Sequence, residues 1–557
     1  MFPHGNPLGA IPLLTDPGVP TLGGRASRRF LQEAGYAARF LGVLPRYLRR
    51  PVTPAEARGE LDRMLRTREA AFLDLAHRVI YRRPANPFRR LLAAAGCEYG
   101  DLVRLVETRG LEGALRRLWQ DGVYLTIDEF KRGRPVVRGS TRFVVEPREL
   151  LNPFNGRHLP TATGGSRGAR TPASADLWQE RLYALASSLF LEGIGATAPR
   201  FAMWDVPGSV AIQIMLFYGA AGARPARWFS QVDPAAPGLP ASYRWSGQLL
   251  RWGSRLAGVP MPRPETVPLA DPTPIVQWLQ DTLCAHEHPI LRVSSSAAVR
   301  VAETARSRGV DLTGARFILG SEPVTPGRLA AIRPTGAAVS SVYGSMDAGL
   351  IADPCAASHD DVQMHVRDDL LGVIQPGDDA PPGSPLSPTT LLLTSLWPRA
   401  VHVFVNLSVG DQADIFPARC GCPLERAGLG RQLAGVRSFE KLNAGGMTLL
   451  DVDVIRVLEE VLPARFGGGP LDYQLVEAVD GDGRGALRLV VHPNVGALDA
   501  DALVDAFLGA LAGDGAARVR ELLWRQGEML RVERARPRLT PAGKVLHLHQ
   551  ERTPRAE

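Results

Sequence analysis

Residues 317–349 read FILGSEPVTPGRLAAIRPTGAAVSSVYGSMDAG. Two apolar runs in this stretch each end in a turn of small residues. The first turn is Gly320-Ser321-Glu322-Pro323; the second is Tyr343-Gly344-Ser345-Met346-Asp347. Two strand ends of this kind present small residues, an aromatic ring and a carboxylate close together. The loops at strand ends of an α/β sheet are where such folds hold ligands. An aromatic face suits a purine, and a carboxylate suits a metal ion bound to phosphates.

The flanking sequence fits an α/β protein. Between residues 200 and 320, apolar runs such as ARFILG alternate with helical patterns such as PTPIVQWLQDTLCAH and SAAVRVAETARSRG. Upstream, TATGGSRGARTP (161–172) is a Gly-rich, hydroxyl-bearing loop followed by the helical pattern ADLWQERLYALASSLFLEGI. A loop of this kind lets backbone N–H groups approach an anion, and the helix start adds a favourable dipole. Residues from about 25 to 121 read as helices, with Thr53 as an N-cap and Glu56 three residues on. VYLTIDEFKRG (123–133) and PVVRGSTRFVV (135–145) read as short strands, as do LLLTSLWP and AVHVFVNLS, the last ending at Gly410-Asp411. Composition changes near 431–446. Beyond it, helical and strand patterns alternate in a smaller α+β region that ends in Thr540-Pro541-Ala542-Gly543-Lys544. The expected organisation is a large multi-sheet domain over 1–434 and a small α+β domain over 435–557.

A chain of 557 residues has ample material for several cores. No apolar run approaches the ~18 residues of a membrane span. The first residues lack the positive and apolar regions of a signal peptide. Five irregularly spaced cysteines do not make a disulfide framework, so a reducing cytoplasm is expected. The net charge of +8 comes from scattered arginines, with no nucleic-acid-binding signature. Only three of the 65 basic residues are lysine: Lys131, Lys441 and Lys544. A retained lysine marks a place where a compact ammonium serves better than a planar guanidinium.

Taken in order, four motifs resemble those of the adenylate-forming superfamily, the acyl- and aryl-CoA ligases. TGGSRGART (163–171) resembles the phosphate loop, placing Thr163, Gly164, Gly165, Ser166 and Gly168 at ATP. GSEP (320–323) and YGSMD (343–347) resemble the adenine turn and the Tyr-Gly-x-x-acid motif. VGD (409–411) resembles the motif whose Asp411 holds the ribose hydroxyls, and TPAGK (540–544) the one carrying the adenylation lysine. GSEPVTPGR, the helical N-terminal region and the cysteine segments point to the phenylacetate–CoA ligase branch. The resemblance implies that a carboxylate attacks ATP to give an acyl adenylate, with Lys544 bridging the attacking group and the phosphate. It further implies that Asp347 helps hold Mg²⁺, Tyr343 stacks on adenine, and Arg437 sits at the hinge of a mobile C-terminal domain. The acyl group then passes to the thiol of coenzyme A, with a carrier-protein thiol as the alternative. Asp347 stands where relatives carry Glu, so its carboxylate reaches one methylene less far.

Cys420-Gly421-Cys422 forms a short knuckle, and Cys355 precedes His359 and His365. Three thiolates and an imidazole make a tetrahedral Zn²⁺ site of structural type. The resemblance favours His365 as the fourth ligand, with His359 the alternative. The apolar, aromatic run around Phe217 and Tyr218, between Trp204 and Trp228, suggests an aryl or medium-length acyl acid. A competing reading is a serine hydrolase, because Gly164-Gly165-Ser166-Arg167-Gly168 fits Gly-x-Ser-x-Gly. That reading leaves Lys544, Asp411 and the two turns unexplained. A third is a nucleotide-binding protein that has lost catalysis.

Overall fold

Continuous runs of buried apolar residues, rather than alternating ones, build the central element. They form six parallel strands in the order Ala338–Ser341, Arg316–Gly320, Pro289–Ser294, Arg200–Asp205, Arg224–Ser230 and Pro264–Thr266. The central ones, Arg316–Gly320, Pro289–Ser294 and Arg200–Asp205, are buried on both faces, which is why their sequences do not alternate; the outer Pro264–Thr266 is only half-buried. In the computed structural model the described residues are 24–156, 158–162, 172–233, 241–358, 362–378, 386–438, 442–444, 447–449, 451–479, 485–511, 530–540 and 543–550.

Residues on one face of this sheet (Phe201, Met203, Ile290, Ile318) join a large cluster that also takes in the N-terminal helices. Those on the other face (Ala202, Trp204, Leu291, Phe317) pack against the helices Thr273–Cys284 and Ser295–Ser307. A second, seven-stranded sheet is antiparallel. It runs in the order Tyr343–Ser345, Gly349–Pro354, Met364–Val366, Arg431–Ser438, Leu407–Pro417, Thr390–Ser395 and Leu371–Ile374. The chain is therefore α/β with several sheets.

The C-terminal residues form a four-stranded mixed sheet in the order Leu530–Arg534, Gly485–Val491, Tyr473–Val479 and Leu548–Gln550. It has its own apolar cluster around Val454, Leu475, Leu489 and Phe507. Leu471 and Val545, however, belong to the cluster under the parallel sheet. Among the described residues no helix is long and apolar enough to cross a membrane.

Two expected strands differ. Residues Ile127–Lys131 are an α-helix, because Thr126 and Glu129 form a capping box in which each side chain takes the other's backbone N–H. In AVHVFVNLS the strand begins only at Leu407. Asn406 just before it has a left-handed φ of 52°, and its amide donates to Leu115 O and Val123 O. Residues 516–527, AARVRELLWRQG, whose apolar spacing is helical, lie outside the described residues.

Candidate functional site

The two turns of the 317–349 stretch are neighbours because their strands are. Arg316–Gly320 and Ala338–Ser341 pair in parallel, and Val342 N–H donates to Leu319 O at 2.9 Å. The chain then leaves the parallel sheet and enters the antiparallel one at Tyr343. There the Tyr343 hydroxyl donates to Asp411 Oδ2 at 2.8 Å, across 68 residues. Asp411 lies on the strand Leu407–Pro417 and is 8% exposed. The ring and the carboxylate singled out in separate motifs thus share one spot. Ser345 accepts the Ala348 N–H at 3.0 Å, which closes the second turn.

Lys544 completes this end of the sheet. Its Nζ donates to the backbone oxygen of Ser321 at 2.9 Å, with Ser321 held at a left-handed φ of 69°. The Thr540–Lys544 turn is closed by the Thr540 N–H to Lys544 O, and by the Lys544 N–H to Thr540 Oγ1. Gly543 lies against the end of the strand Arg224–Ser230. At its φ of 71° any side chain would be strained, and a Cβ would stand 2.5 Å from Gln231 Oε1, which would have to shift. Nearby, burial pushes the carboxyl of Asp205 up, and Lys544 and Arg292 oppose the shift.

Glu322 turns inward. Its carboxylate accepts from the Ser296 N–H, from the hydroxyls of Ser295 and Ser296, and from Arg328 Nη1 at 3.1 Å, so it fixes the turn from beneath. Pro323 adds a backbone acceptor for Ser295 Oγ at 2.9 Å. Arg328 continues this network to the C-terminal region. It is fully buried and donates through Nε to Glu459 at 2.8 Å, and Glu459 also meets Thr325 and His547. Burial alone would raise the Glu459 carboxyl, but Arg328 and His547 more than offset it and bring it to about 2. Sequence reading missed Glu459 and His547, which carry no motif.

Asp347 is not open. Its Oδ1 receives Lys131 Nζ at 2.7 Å, and the two side chains are only 12 and 7% exposed. Mg²⁺ at this carboxylate does not fit the residues present, because the oxygen already faces a buried ammonium. Among the described residues the one group of three or more metal-type side chains lies elsewhere. The rarity of lysine was the signal for Lys131.

Arg437 sits near the end of the strand Arg431–Ser438, opposite Gln412 and 3.7 Å from Asp414. Gly320 is the last residue of the strand Arg316–Gly320, and Gly344 lies within the short strand Tyr343–Ser345. Thr163, Gly164, Gly165, Ser166 and Gly168, and with them the Gly-x-Ser-x-Gly reading, lie outside the described residues. So does His359. The loop's flanks are described. Leu159–Ala162 and Pro172–Ala175 pair as a hairpin, and the helix Leu177–Gly193 starts after them, capped by Asp176. Phe217 and Tyr218 are buried in core, with Tyr218 stacked on Phe201, while Trp204 packs on the opposite face of the sheet.

Cys355, His365, Cys420 and Cys422 form that metal-type group, with ligand atoms all within 4.8 Å of one another. His365 is fully buried, and its Nδ1 donates to Leu429 O at 2.8 Å. This leaves Nε2 facing Cys422 Sγ at 3.2 Å and Cys420 Sγ at 3.4 Å. A hydrogen bond from Cys355 and the neighbouring His365 hold the Cys422 thiol far down, at about 3. The donor set, spacing and fixed ring fit a tetrahedral zinc ion without an open position.

No family model and no curated protein matches the chain. Solved structures do. One is a 2-hydroxyisobutyryl-CoA ligase in the postadenylation state with 2-HIB-AMP: 15% identity, 90% of this chain and 91% of that one, TM-score 0.48. A second is the amide bond synthetase McbA from Marinactinospora thermotolerans: 14% identity, 92% and 97%, TM-score 0.40. A third is ATP-bound MatB from Rhodopseudomonas palustris: 14% identity, 72% and 68%, TM-score 0.40. The structures to which the chain is similar thus include a ligase holding an acyl adenylate, an amide bond synthetase and an ATP-bound protein.

Proposed function

We propose that the chain is an ATP-dependent carboxylic acid ligase that forms an acyl or aryl adenylate and passes the acyl group to a thiol, that of coenzyme A. The observation that carries this reading is the convergence of four distant segments at one end of the parallel sheet. Tyr343 and Asp411 are joined at 2.8 Å beside the turn at 320–323, and Lys544 is docked on that turn at 2.9 Å. A phenol ring beside a buried carboxylate suits a purine nucleoside, the carboxylate accepting the ribose hydroxyls. The Lys544 ammonium is held by one neutral acceptor and can turn to an anion.

In the first step a carboxylate oxygen of the acid attacks the α-phosphorus of ATP, and the bond to pyrophosphate breaks. Lys544 stabilises the charge gathering between the two reactants, and positioning supplies most of the rest. In the second step a thiol attacks the acyl carbon and AMP leaves, the thiol proton passing to solvent. The C-terminal region from residue 435 is a small domain that carries Lys544 in and out, with Arg437 at its hinge. Cys355, His365, Cys420 and Cys422 hold a zinc ion whose role is structural, tying the knuckle at 420–422 to the strands beside it.

Hydroxamate formation by the full chain with ATP, hydroxylamine and a panel of aryl and acyl acids tests the reading. ATP-dependent product with at least one acid is expected. Product without ATP, or inactivation by a fluorophosphonate, would instead support the hydrolase.

A further inference from the structure

Lys131 and Asp347 are 216 residues apart, yet their charged atoms lie 2.7 Å from each other in a nearly closed setting. Both partners are held in place independently. Lys131 ends the helix Ile127–Lys131, whose start is fixed by the Thr126–Glu129 capping box and whose Phe130 is fully buried. The Lys131 ammonium stands 4.5 Å from the centre of the Phe130 ring, a contact that favours a cation. The same ring stands nearly perpendicular to that of His402, with 6.1 Å between ring centres. His402 is fully buried, and its Nδ1 lies 3.1 Å from the backbone oxygen of Asp347. Asp347 is thus gripped by its carbonyl from one side and by its carboxylate from the other. Of the two acids on the Lys131 helix, Glu129 is engaged by Arg138 at 2.8 Å and Asp128 by Arg132 at 3.0 Å.

A buried carboxylate needs a counter-charge, and here the chain supplies it. A divalent ion on the same carboxylate would stand beside an ammonium in a low-dielectric setting, where like charges repel strongly. The chain's preference for arginine makes the choice of lysine informative. A point charge on a flexible stem fits between one carboxylate oxygen and a ring face, whereas a planar fork needs more room.

We propose that Lys131 is the resident cation of the Tyr343–Asp347 turn: its ammonium takes the Asp347 carboxylate in place of a divalent metal ion and holds the turn in its binding shape. Lys131 is a positioning residue here. Its effect on nucleotide binding rests on the ligase reading above, while the exclusion of metal does not.

The test is a Mn²⁺ titration of the full chain followed by electron paramagnetic resonance, so it needs no substrate and no turnover. The wild type is expected to show no Mn²⁺ site that Asp347→Asn removes. Lys131→Met should create one, at least tenfold tighter than any residual Mn²⁺ binding by the double variant Lys131→Met with Asp347→Asn, which should lose it. Lys131→Arg, which keeps the charge, should continue to exclude the ion. Lys131→Gln, which keeps a donor to Asp347 without charge, serves if the Met variant fails to fold. A wild-type Mn²⁺ site abolished by Asp347→Asn would overturn the proposal. So would a folded, uncharged Lys131 variant that gains no site. If the chain adenylates no acid, the ligase reading fails and the metal titration still decides this one.

Discussion

Arg328 donates through Nε to Glu459 at 2.8 Å across 131 residues, joining the helix after the Gly-Ser-Glu-Pro turn to the C-terminal region. Both side chains are essentially closed to solvent. Removing one member of a buried pair leaves the other uncompensated, which costs about 3–5 kcal/mol. Glu459→Gln is therefore expected to destabilise the chain by about that amount in urea unfolding. The pH dependence follows from the sign of the shift. The folded carboxyl lies at about 2, below its ordinary 4.5, so the stabilisation is present above 4.5 and is lost as pH falls toward 2. The difference in stability between wild type and Glu459→Gln should stay constant from pH 7 to about 5 and shrink below that.

Among the described residues, Lys544 Nζ makes one hydrogen bond, to the neutral backbone oxygen of Ser321. Lys544→Ala should leave the melting temperature nearly unchanged, since an exposed contact of this kind contributes little. The rate of hydroxamate formation should fall about 100-fold or more, the range for losing a preorganised charge stabiliser. Full activity in Lys544→Ala would remove the lysine from its assigned role.

The bond between Tyr343 and Asp411 separates the ring's contribution from the hydroxyl's. Tyr343→Phe keeps the ring and removes its hydroxyl from the carboxylate, and should raise the KM for ATP roughly fivefold, the equivalent of about 1 kcal/mol for one hydrogen bond. Tyr343→Ala should raise it further. Equal effects of the two variants would show that the ring does not meet the nucleotide.

The four-residue group at Cys355, His365, Cys420 and Cys422 predicts about one zinc per chain by elemental analysis of protein purified without added metal. Cys422→Ser should lose the metal and lower the melting temperature by roughly 5 °C or more. Any loss of activity should track the unfolded fraction. A metal-free wild type of undiminished stability would count against the centre.

Much of this was legible in the sequence, and the exceptions have physical causes. The parallel strands announce themselves as unbroken apolar runs such as ARFILG, and turns of small residues mark their ends. The cysteine cluster was visible because cysteine is scarce. VYLTIDEFKRG misleads because Val123, Leu125 and Ile127 alternate like a strand, while a two-residue cap decides the helix. AVHVFVNLS misleads because its apolar side chains are buried without pairing along a ladder, and Asn406 turns the backbone before the strand starts. The Arg328 network was invisible, since one arginine among 62 carries no signal and its partner lies far along the chain. Lys131 carried the opposite signal: rarity marked it, and only the fold could name its partner.

Val545 follows Lys544 directly and is sunk in the apolar cluster beneath the parallel sheet, 3% exposed. A lysine seated one residue from such an anchor does not drift by degrees. To leave, it must draw Val545 out of its socket. In the proposed ligase the ammonium is thus delivered by a plug rather than a tether, each molecule being either stoppered or open. At the level of single chains, the proposed ligase would then turn over in discrete strokes.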